Sequence, residues 1–423
     1  MLPAVTVELL NTGSELMLGR VLNTHQQWIC RRLADLGWPC NRQTAVPDTG
    51  AGIRDAAGEA LGRADWVITT GGLGPTSDDV TRDYIAELLG RELVVHEPTL
   101  ERIRAFFAAR NRPMPARVEI QAQVPEGAIV LPNQHGTAPG LALPVEAGRF
   151  RATPSWLVML PGPPRELRPM FDTQLAPLLQ SWAPHREPYR CVTLRTCGLG
   201  ESWLEERLAP VLPPLLTRGL EIGYCARTGE VDVRLVTRGP EAASLADEAI
   251  TVILGLLGEH VFGRDEDRLE EVVIRLATER GARLAVAESC TGGYVAHRLT
   301  NVPGASAAFW GGWVTYDNDA KQRDLGISAA LLAEHGAVSE ACAQAMAEGA
   351  LARSPATHAL ALTGIAGPTG GTESKPVGTV FIALARRGSA TQVRRCLNPF
   401  DRETFKYVSS QQALEWLRRD LGG

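Results

Sequence analysis

The sequence predicts an α/β protein of several domains. At 423 residues the chain is too long for one ordinary hydrophobic core, so two to three domains are expected. Its first 170 residues repeat a strand, loop, helix pattern, the mark of a sheet whose functional loops sit at strand C-terminal ends. Further on, Ala285-Val286-Ala287-Glu288 reads as a short apolar strand entering a tight polar turn, Ser289 to Gly293, and then an amphipathic helix, Tyr294 to Leu299.

In chain order, the first element is a strand-like run from Ala4 to Leu10, with no signal peptide before it. Three loops of the first half stand out: Asn11-Thr12-Gly13-Ser14-Glu15, then Thr69 to Asp79, and Leu160 to Glu166. The second follows the buried strand Trp66 to Thr69 and precedes a helix whose first turn is acidic. Gly71, Gly72 and Gly74 let its backbone approach a ligand, and a phosphate fits over the helix N-terminus. Asp78 and Asp79 are candidate ligands for a divalent cation bridging to that phosphate; the other reading makes them helix caps.

From about Asp172 to Phe262 the signals shorten, with strands expected at Arg190 to Thr196 and Val231 to Val236. Acidic residues outnumber basic ones there, and the sole Gly-x-x-Gly, Gly255 to Gly258, sits in an apolar helical pattern, so RNA binding is not expected. A charged linker, Gly263 to Arg268, leads into a helix from Leu269 to Thr278.

Composition excludes several classes. A net charge of −5 leaves no electrostatic footprint for nucleic acid or an anionic membrane. No apolar run approaches the roughly 20 residues of a membrane span. The eight cysteines, at 30, 40, 191, 197, 225, 290, 342 and 396, contain no Cys-x-x-Cys pair and no zinc-ligand spacing, so reduced thiols and a cytoplasmic location are expected.

Arginine supplies nearly all the cations; of 43 basic residues only Lys321, Lys375 and Lys406 are lysine. Guanidinium stays protonated, whereas burial can neutralise a lysine amine, so a retained lysine is a candidate base; base-composition bias is the competing explanation. Lys321 follows an apolar strand, Phe309 to Thr315, and with Asn318 or Asp319 as N-cap it falls in a first helical turn, where the macrodipole disfavours an ammonium. Tyr316, five residues earlier, is brought near if the strand ends where the helix starts. With Ser289 on the neighbouring turn, these residues form a candidate Ser-Lys-Tyr alternative to the Ser-His-Asp arrangement.

The blocks Ala287 to Gly293, Tyr316 to Lys321, His335 to Ser339, Thr363 to Pro368 and Lys375 to Val380 resemble the C-terminal domain of the CinA family, a nicotinamide mononucleotide amidohydrolase of the PncC type. The first-half loops, with Gly19 to Thr24 and Asn133 to Gly140, are similar to the molybdopterin-binding, MogA-like domain and more closely to the CinA N-terminal domain. The resemblance implies a three-layer MogA-like α/β domain at 1–171, a small KH-like α+β connector at 172–262 serving spacing or dimerisation, and an α/β/α deamidase domain at 267–423.

For the N-terminal domain it implies a metal-dependent ADP-ribose pyrophosphatase. The implied nucleotide site is Thr12, Gly13, Glu15, Gly71, Gly72, Gly74, Thr76, Asp79, Pro161 and Gly162, with Asp78 and Asp79 holding magnesium, cobalt or manganese. One position departs from the family pattern: the usual Asn-x-x-Lys-Gln-Ala reads Arg117-Val118-Glu119-Ile120-Gln121-Ala122, with Ile120 for the lysine. Arg112 and Arg117 are the candidate substitutes.

For the C-terminal domain, deamidation needs a nucleophile, a base, oxyanion donors and a proton for ammonia. Ser289 is the nucleophile, neutral Lys321 the base and Tyr316 the proton relay or orienting group. Cys290 competes with Ser289 as the intrinsically better nucleophile, but no histidine stands beside it in sequence. Oxyanion donors are the backbone of Cys290 to Gly293 or of Thr363 to Gly367. The substrate site comprises Glu288, Cys290, Thr291, Gly292, Gly293, Thr363, Gly364, Gly367 and Arg402. Lys375 reaches a phosphate or is solvated, and the Gly364 to Lys375 loop is a lid or a long hairpin connection. Expected partners are nicotinamide mononucleotide, ADP-ribose and, by fold-level analogy, a second copy in a homodimer. The competing hypothesis is a nucleotide- or molybdopterin-binding scaffold linked to competence or DNA damage.

Overall fold

The computed structural model describes residues 5–183 and 187–422, which fall into two compact units, Met1–Cys191 and Val192–Gly423. The first unit is built on a six-stranded sheet in the order Arg42–Val46, Val7–Thr12, Trp66–Thr70, Ser155–Leu160, Gly140–Val145, Ile129–Leu131. The first four strands are mutually parallel, and Gly140–Val145 runs antiparallel to both its neighbours. Alternation along these strands makes two cores. Leu9, Ile68 and Val158 point to Ile29, Leu33 and Phe171 on one side, while Leu10, Val67 and Leu157 meet Ile53, Ala57 and Ile85 on the other. Both faces are covered, so the central strands are apolar throughout, and the unit has three α/β/α layers.

Two boundaries differ from the sequence reading. The first strand is Val7–Thr12, starting three and ending two residues later than expected, and Ala4 lies outside the described residues. The helix after the glycine loop starts at Thr81, so Asp78 and Asp79 precede it rather than form its first turn. Asp79 instead folds back, its Oδ2 accepting from the Thr76 backbone N–H at 2.9 Å, which closes the loop on itself.

The second unit holds two sheets. One is four-stranded, ordered Glu221–Arg227, Glu230–Arg238, Tyr189–Cys197, Val261–Arg264, and packs on the helices Glu201–Leu208 and Ala242–Leu257. Gly255 lies inside the latter helix and Gly258 ends it, so that Gly-x-x-Gly is no loop. Gly263 and Arg264, read as linker, belong to the last strand.

The other sheet is five-stranded, ordered Phe309–Val314, Leu284–Glu288, His358–Gly364, Thr379–Arg386, Gln392–Leu397, with the first three strands parallel. Its two faces differ in residue size. Leu284, Val286, Leu360, Leu362 and Ile382 pack on the helices Leu269–Glu279 and Arg402–Gly422. Ala285, Ala287, Ala359, Ala361 and Ala383 face the helix Glu340–Ala352, which presents Ala343, Ala347 and Ala350 in return. Small residues on both partners let helix and sheet approach closely, and the first turn of that helix brings Cys342 near Lys321.

Candidate active site

Ser289 follows the strand Leu284–Glu288, and its N–H donates to the Leu362 carbonyl of the adjacent strand at 2.9 Å. The edge strand Phe309–Val314 runs alongside and hands the chain to the helix Asn318–Leu325. The N-cap of that helix is Asp317, one residue earlier than expected, its side chain accepting from the Asp319 N–H. Lys321 thus turns inward from the first turn and is 1% exposed, the only lysine so buried.

The Lys321 amine has three neighbours: Ser289 Oγ at 3.1 Å, the Thr315 carbonyl at 2.8 Å and the Tyr316 carbonyl at 3.3 Å. A neutral amine has two N–H bonds and one lone pair. If the carbonyls, which only accept, take the two N–H bonds, the lone pair faces the Ser289 hydroxyl. Burial pushes the amine below the ordinary lysine value, against an opposing pull from Cys342, Asp317 and Cys290. Ser289 is itself 8% exposed, so its hydroxyl and the Lys321 amine share a nearly dry site.

The neighbouring thiol is set up differently. Cys290 lies in the hydrophobic core, and burial pushes its thiol up to about 12, which keeps it protonated and unreactive.

Several predicted binding residues are engaged within the fold. Glu288 is wholly buried and its carboxylate accepts from the backbone N–H groups of Gly293 (3.1 Å), Val295 (3.1 Å) and Ala296 (2.8 Å). It therefore caps the helix Tyr294–Thr300. The Gly292 N–H donates to the Ser289 carbonyl at 3.1 Å, so neither glycine amide is left for a phosphate. The Cys290 and Thr291 amides donate to no backbone carbonyl among the described residues and point instead at the Cys290 sulfur. The Thr291 hydroxyl is buried without a partner. Thr363 donates its hydroxyl to the Ala337 carbonyl at 2.7 Å and so ties the His335 to Ser339 block to the end of its strand.

The rim is built by Arg402, first residue of the helix Arg402–Gly422. Its guanidinium donates to the Tyr316 hydroxyl at 2.8 Å and to the Gly367 carbonyl at 3.0 Å. Tyr316 is 62% exposed, so its hydroxyl belongs to this rim, and only its backbone carbonyl reaches Lys321. Gly364 ends the strand His358–Gly364, and the segment up to Thr379 joins two antiparallel strands as a long hairpin connection. Lys375 donates to the His335 carbonyl at 3.3 Å.

In the first unit a cavity of about 300 Å3 is lined by Gly72, Gly74, Asp79, Pro161 and Gly162 from the predicted set. A Cβ on Gly72, whose φ is +68°, would stand 2.0 Å from Thr81 Oγ1, and one on Gly74 would stand 2.3 Å from Asp79 Oδ2. Thr12, Gly13, Glu15, Gly71 and Thr76 do not line it; Thr12 lies beneath, donating to the Thr70 carbonyl at 3.2 Å. Gln121, Thr137 and Glu166 line it and were missed as site residues, although each falls in a segment already marked by the resemblance. Gln121 donates to the Leu73 carbonyl at 3.2 Å, while its own oxygen is buried without a partner.

The carboxyl of Asp78 is held below the usual range by the Thr76 side chain, with Arg117 adding to the effect. Of the two candidate substitutes for the missing lysine, Arg117 is the one whose charge acts on Asp78. Arg82, 3% exposed, also reaches the departing position, donating to the Ile120 carbonyl at 2.7 Å. Among the described residues no three His, Cys, Asp or Glu side chains gather as a metal cage. Asp78 and Asp79 therefore fit only a cation that a ligand's own phosphates help to hold, as magnesium sites commonly do.

Comparison with known proteins covers the chain in three parts. Residues 8–181 match the probable molybdopterin binding domain, 192–263 the damage-inducible protein CinA KH domain, and 266–421 the CinA C-terminal domain. A CinA-like protein of Akkermansia muciniphila is 45% identical over 413 residues, covering 98% of this chain and 97% of that one. A putative competence-damage inducible protein of Symbiobacterium thermophilum is 46% identical over 429 residues, covering 98% and 99%. Among solved structures, the competence/damage inducible protein of Agrobacterium tumefaciens is 41% identical over 37% of this chain and 94% of its own, with a TM-score of 0.36.

Proposed function

Because the chain belongs to the CinA family, we propose that its C-terminal domain hydrolyses the carboxamide of nicotinamide mononucleotide to nicotinic acid mononucleotide and ammonia. The observation that supports this reading is the buried Lys321 amine, 3.1 Å from Ser289 Oγ and flanked by two carbonyls. Ser289 Oγ attacks the carboxamide carbon as Lys321 takes its proton. Backbone N–H groups of the Cys290 to Gly293 turn or of the Thr363 to Gly367 segment would meet the developing oxyanion. The Lys321 ammonium then protonates the departing nitrogen, leaving an acyl ester on Ser289. Lys321, neutral again, draws a proton from water as it attacks the ester, then returns that proton to Ser289 Oγ as the C–O bond breaks and the acid leaves. Arg402 and Tyr316 at the rim bind the ribose phosphate. With this activity goes the proposal that the protein acts in pyridine nucleotide recycling, in the cytoplasm and as a homodimer.

The test is ammonia release from nicotinamide mononucleotide by the wild type, Ser289→Ala and Lys321→Arg. Release by the wild type alone supports the assignment, and undiminished release by Lys321→Arg sinks the mechanism.

For the N-terminal domain the reading is a metal-dependent ADP-ribose pyrophosphatase, supported by the glycine-lined cavity with Asp79 at its edge. Asp78, Asp79 and the ligand's phosphates would hold magnesium, cobalt or manganese, which would neutralise charge developing on the pyrophosphate. Ile120 in the lysine position favours the second reading, a nucleotide- or molybdopterin-binding scaffold. ADP-ribose cleavage with and without added metal separates them: metal-dependent product supports the enzyme, and binding without cleavage supports the scaffold.

A further inference from the structure

Of the chain's three lysines, two have their amines engaged: Lys321 beside Ser289, and Lys375 on the His335 carbonyl. Lys406 is different. Among the described residues its amine makes no hydrogen bond and no ion pair, and it stands 6.0 Å from the centre of the Tyr294 ring. An ammonium over a ring face is held in place with its N–H bonds unspent.

Its position bears on the candidate active site. Lys406 lies one turn after Arg402 on the helix Arg402–Gly422, so the two cations share a face. Arg402 donates to the Tyr316 hydroxyl at 2.8 Å, on one side of the site. Lys406 reaches the other: a Cβ built on Gly292 would lie 3.6 Å from its Nζ. Gly292 belongs to the turn that carries Ser289, its N–H donating to the Ser289 carbonyl at 3.1 Å. A φ of +63° favours glycine there, and with no side chain at that position the turn leaves the ammonium uncovered.

Recognition of an anion here falls to side chains. The Gly292 and Gly293 amides are spent inside the fold, and Asp401 already accepts from the Glu403 and Thr404 N–H groups at the start of the Arg402 helix. Arg402 spends donors on Tyr316 and Gly367. A phosphate monoester carries about −1.5 to −2 charges at neutral pH and three acceptor oxygens, more than one partly engaged guanidinium neutralises.

We propose that Lys406 determines specificity at this site, pairing with Arg402 to grip the phosphate monoester of the substrate, so that the nucleotide is taken in preference to its riboside. The inference rests on the deamidase reading and adds to it the residue that reads the phosphate.

The experiment measures ammonia release by the full-length wild type, Lys406→Gln and Lys406→Arg from nicotinamide mononucleotide and from nicotinamide riboside, which carries the same carboxamide without the phosphate. Losing a charged hydrogen bond to the phosphate should cut the nucleotide-to-riboside ratio of kcat/KM about tenfold in Lys406→Gln. Lys406→Arg should keep most of that ratio. An unchanged ratio in Lys406→Gln, whether both rates hold or both fall together, overturns the proposal. Failure of the deamidase reading shows separately, as no ammonia from the wild type. Calorimetric binding of nicotinic acid mononucleotide to the same samples then decides: weaker binding by Lys406→Gln than by wild type upholds Lys406 as a phosphate ligand, and equal binding, or none by either, overturns it.

Discussion

The two candidate sites of this chain solve opposite problems. The C-terminal site brings its own reactive group, an amine that serves as a base only when neutral, and the fold encloses it: Lys321 is 1% exposed and Ser289 is 8% exposed. The N-terminal site has no lysine, and the fold leaves a cradle of about 300 Å3 lined by Gly72, Gly74 and Gly162 and edged by Asp79 and Glu166. Where the protein supplies the chemistry, burial tunes it; where metal and phosphates would supply it, close approach matters more. The contrast lies in packing, since both sites sit on turns after parallel strands.

The largest effect expected is on the base. Lys321→Arg keeps the charge and cannot be neutralised, so kcat for deamidation should fall by about 10²–10⁴-fold, the usual worth of a positioned general base, measured as ammonia release. Cleavage of ADP-ribose by the same sample should not change; a parallel loss there would erase the distinction between the sites.

Next comes the rim. Arg402→Ala removes two charged hydrogen bonds at an exposed position, and KM for nicotinamide mononucleotide should rise about tenfold with kcat little altered. A fall in kcat alone would move Arg402 from binding into the chemistry.

The pH profile sharpens the same point. The base form of Lys321 is present above its lowered pKa, so the deamidation rate should rise with pH and level off below the ordinary lysine value of about 10.4. Linkage gives the matching sign for stability. Between the lowered folded pKa and about 10.4 the unfolded chain binds more protons at this residue, so its contribution to stability increases as pH rises through that window. Lys321→Met should abolish that slope in urea-unfolding midpoints measured across the window.

In the open cradle, Gly74→Ala places a methyl group 2.3 Å from Asp79 Oδ2, so the loop must shift. ADP-ribose binding by calorimetry should weaken and stability should drop by about 1–3 kcal/mol, with deamidation unaffected. The smallest effect is reserved for Cys290→Ala: its thiol is a packing group, so deamidation should persist and stability change by about 1 kcal/mol. Loss of activity there would restore the thiol as nucleophile.

Much of this was legible because it is local. Ser289 at the end of an apolar strand, Lys321 after a capping aspartate and the glycine loop Gly71 to Gly74 are each written within about one turn of chain, where periodicity and capping rules apply. The small-residue face of the C-terminal sheet is visible too, in the alternation Leu284-Ala285-Val286-Ala287. Less legible was how polar groups are shared. Glu288 reads as a binding residue until three backbone N–H groups are seen to claim it, and Tyr316 reads as a relay until its hydroxyl is found on Arg402, 86 positions away.

The sequence by itself determined the strands, the turns that end them, the identity of the serine and lysine, and the absence of any other lysine to do that work in the first half. Only the tertiary structure decided which donors and acceptors are engaged within the fold, and that Gln121 and Glu166 join the glycine cradle. The reason is physical: strand and helix patterns are set by neighbours in sequence, whereas a buried polar group takes whichever partner the packing of distant segments delivers.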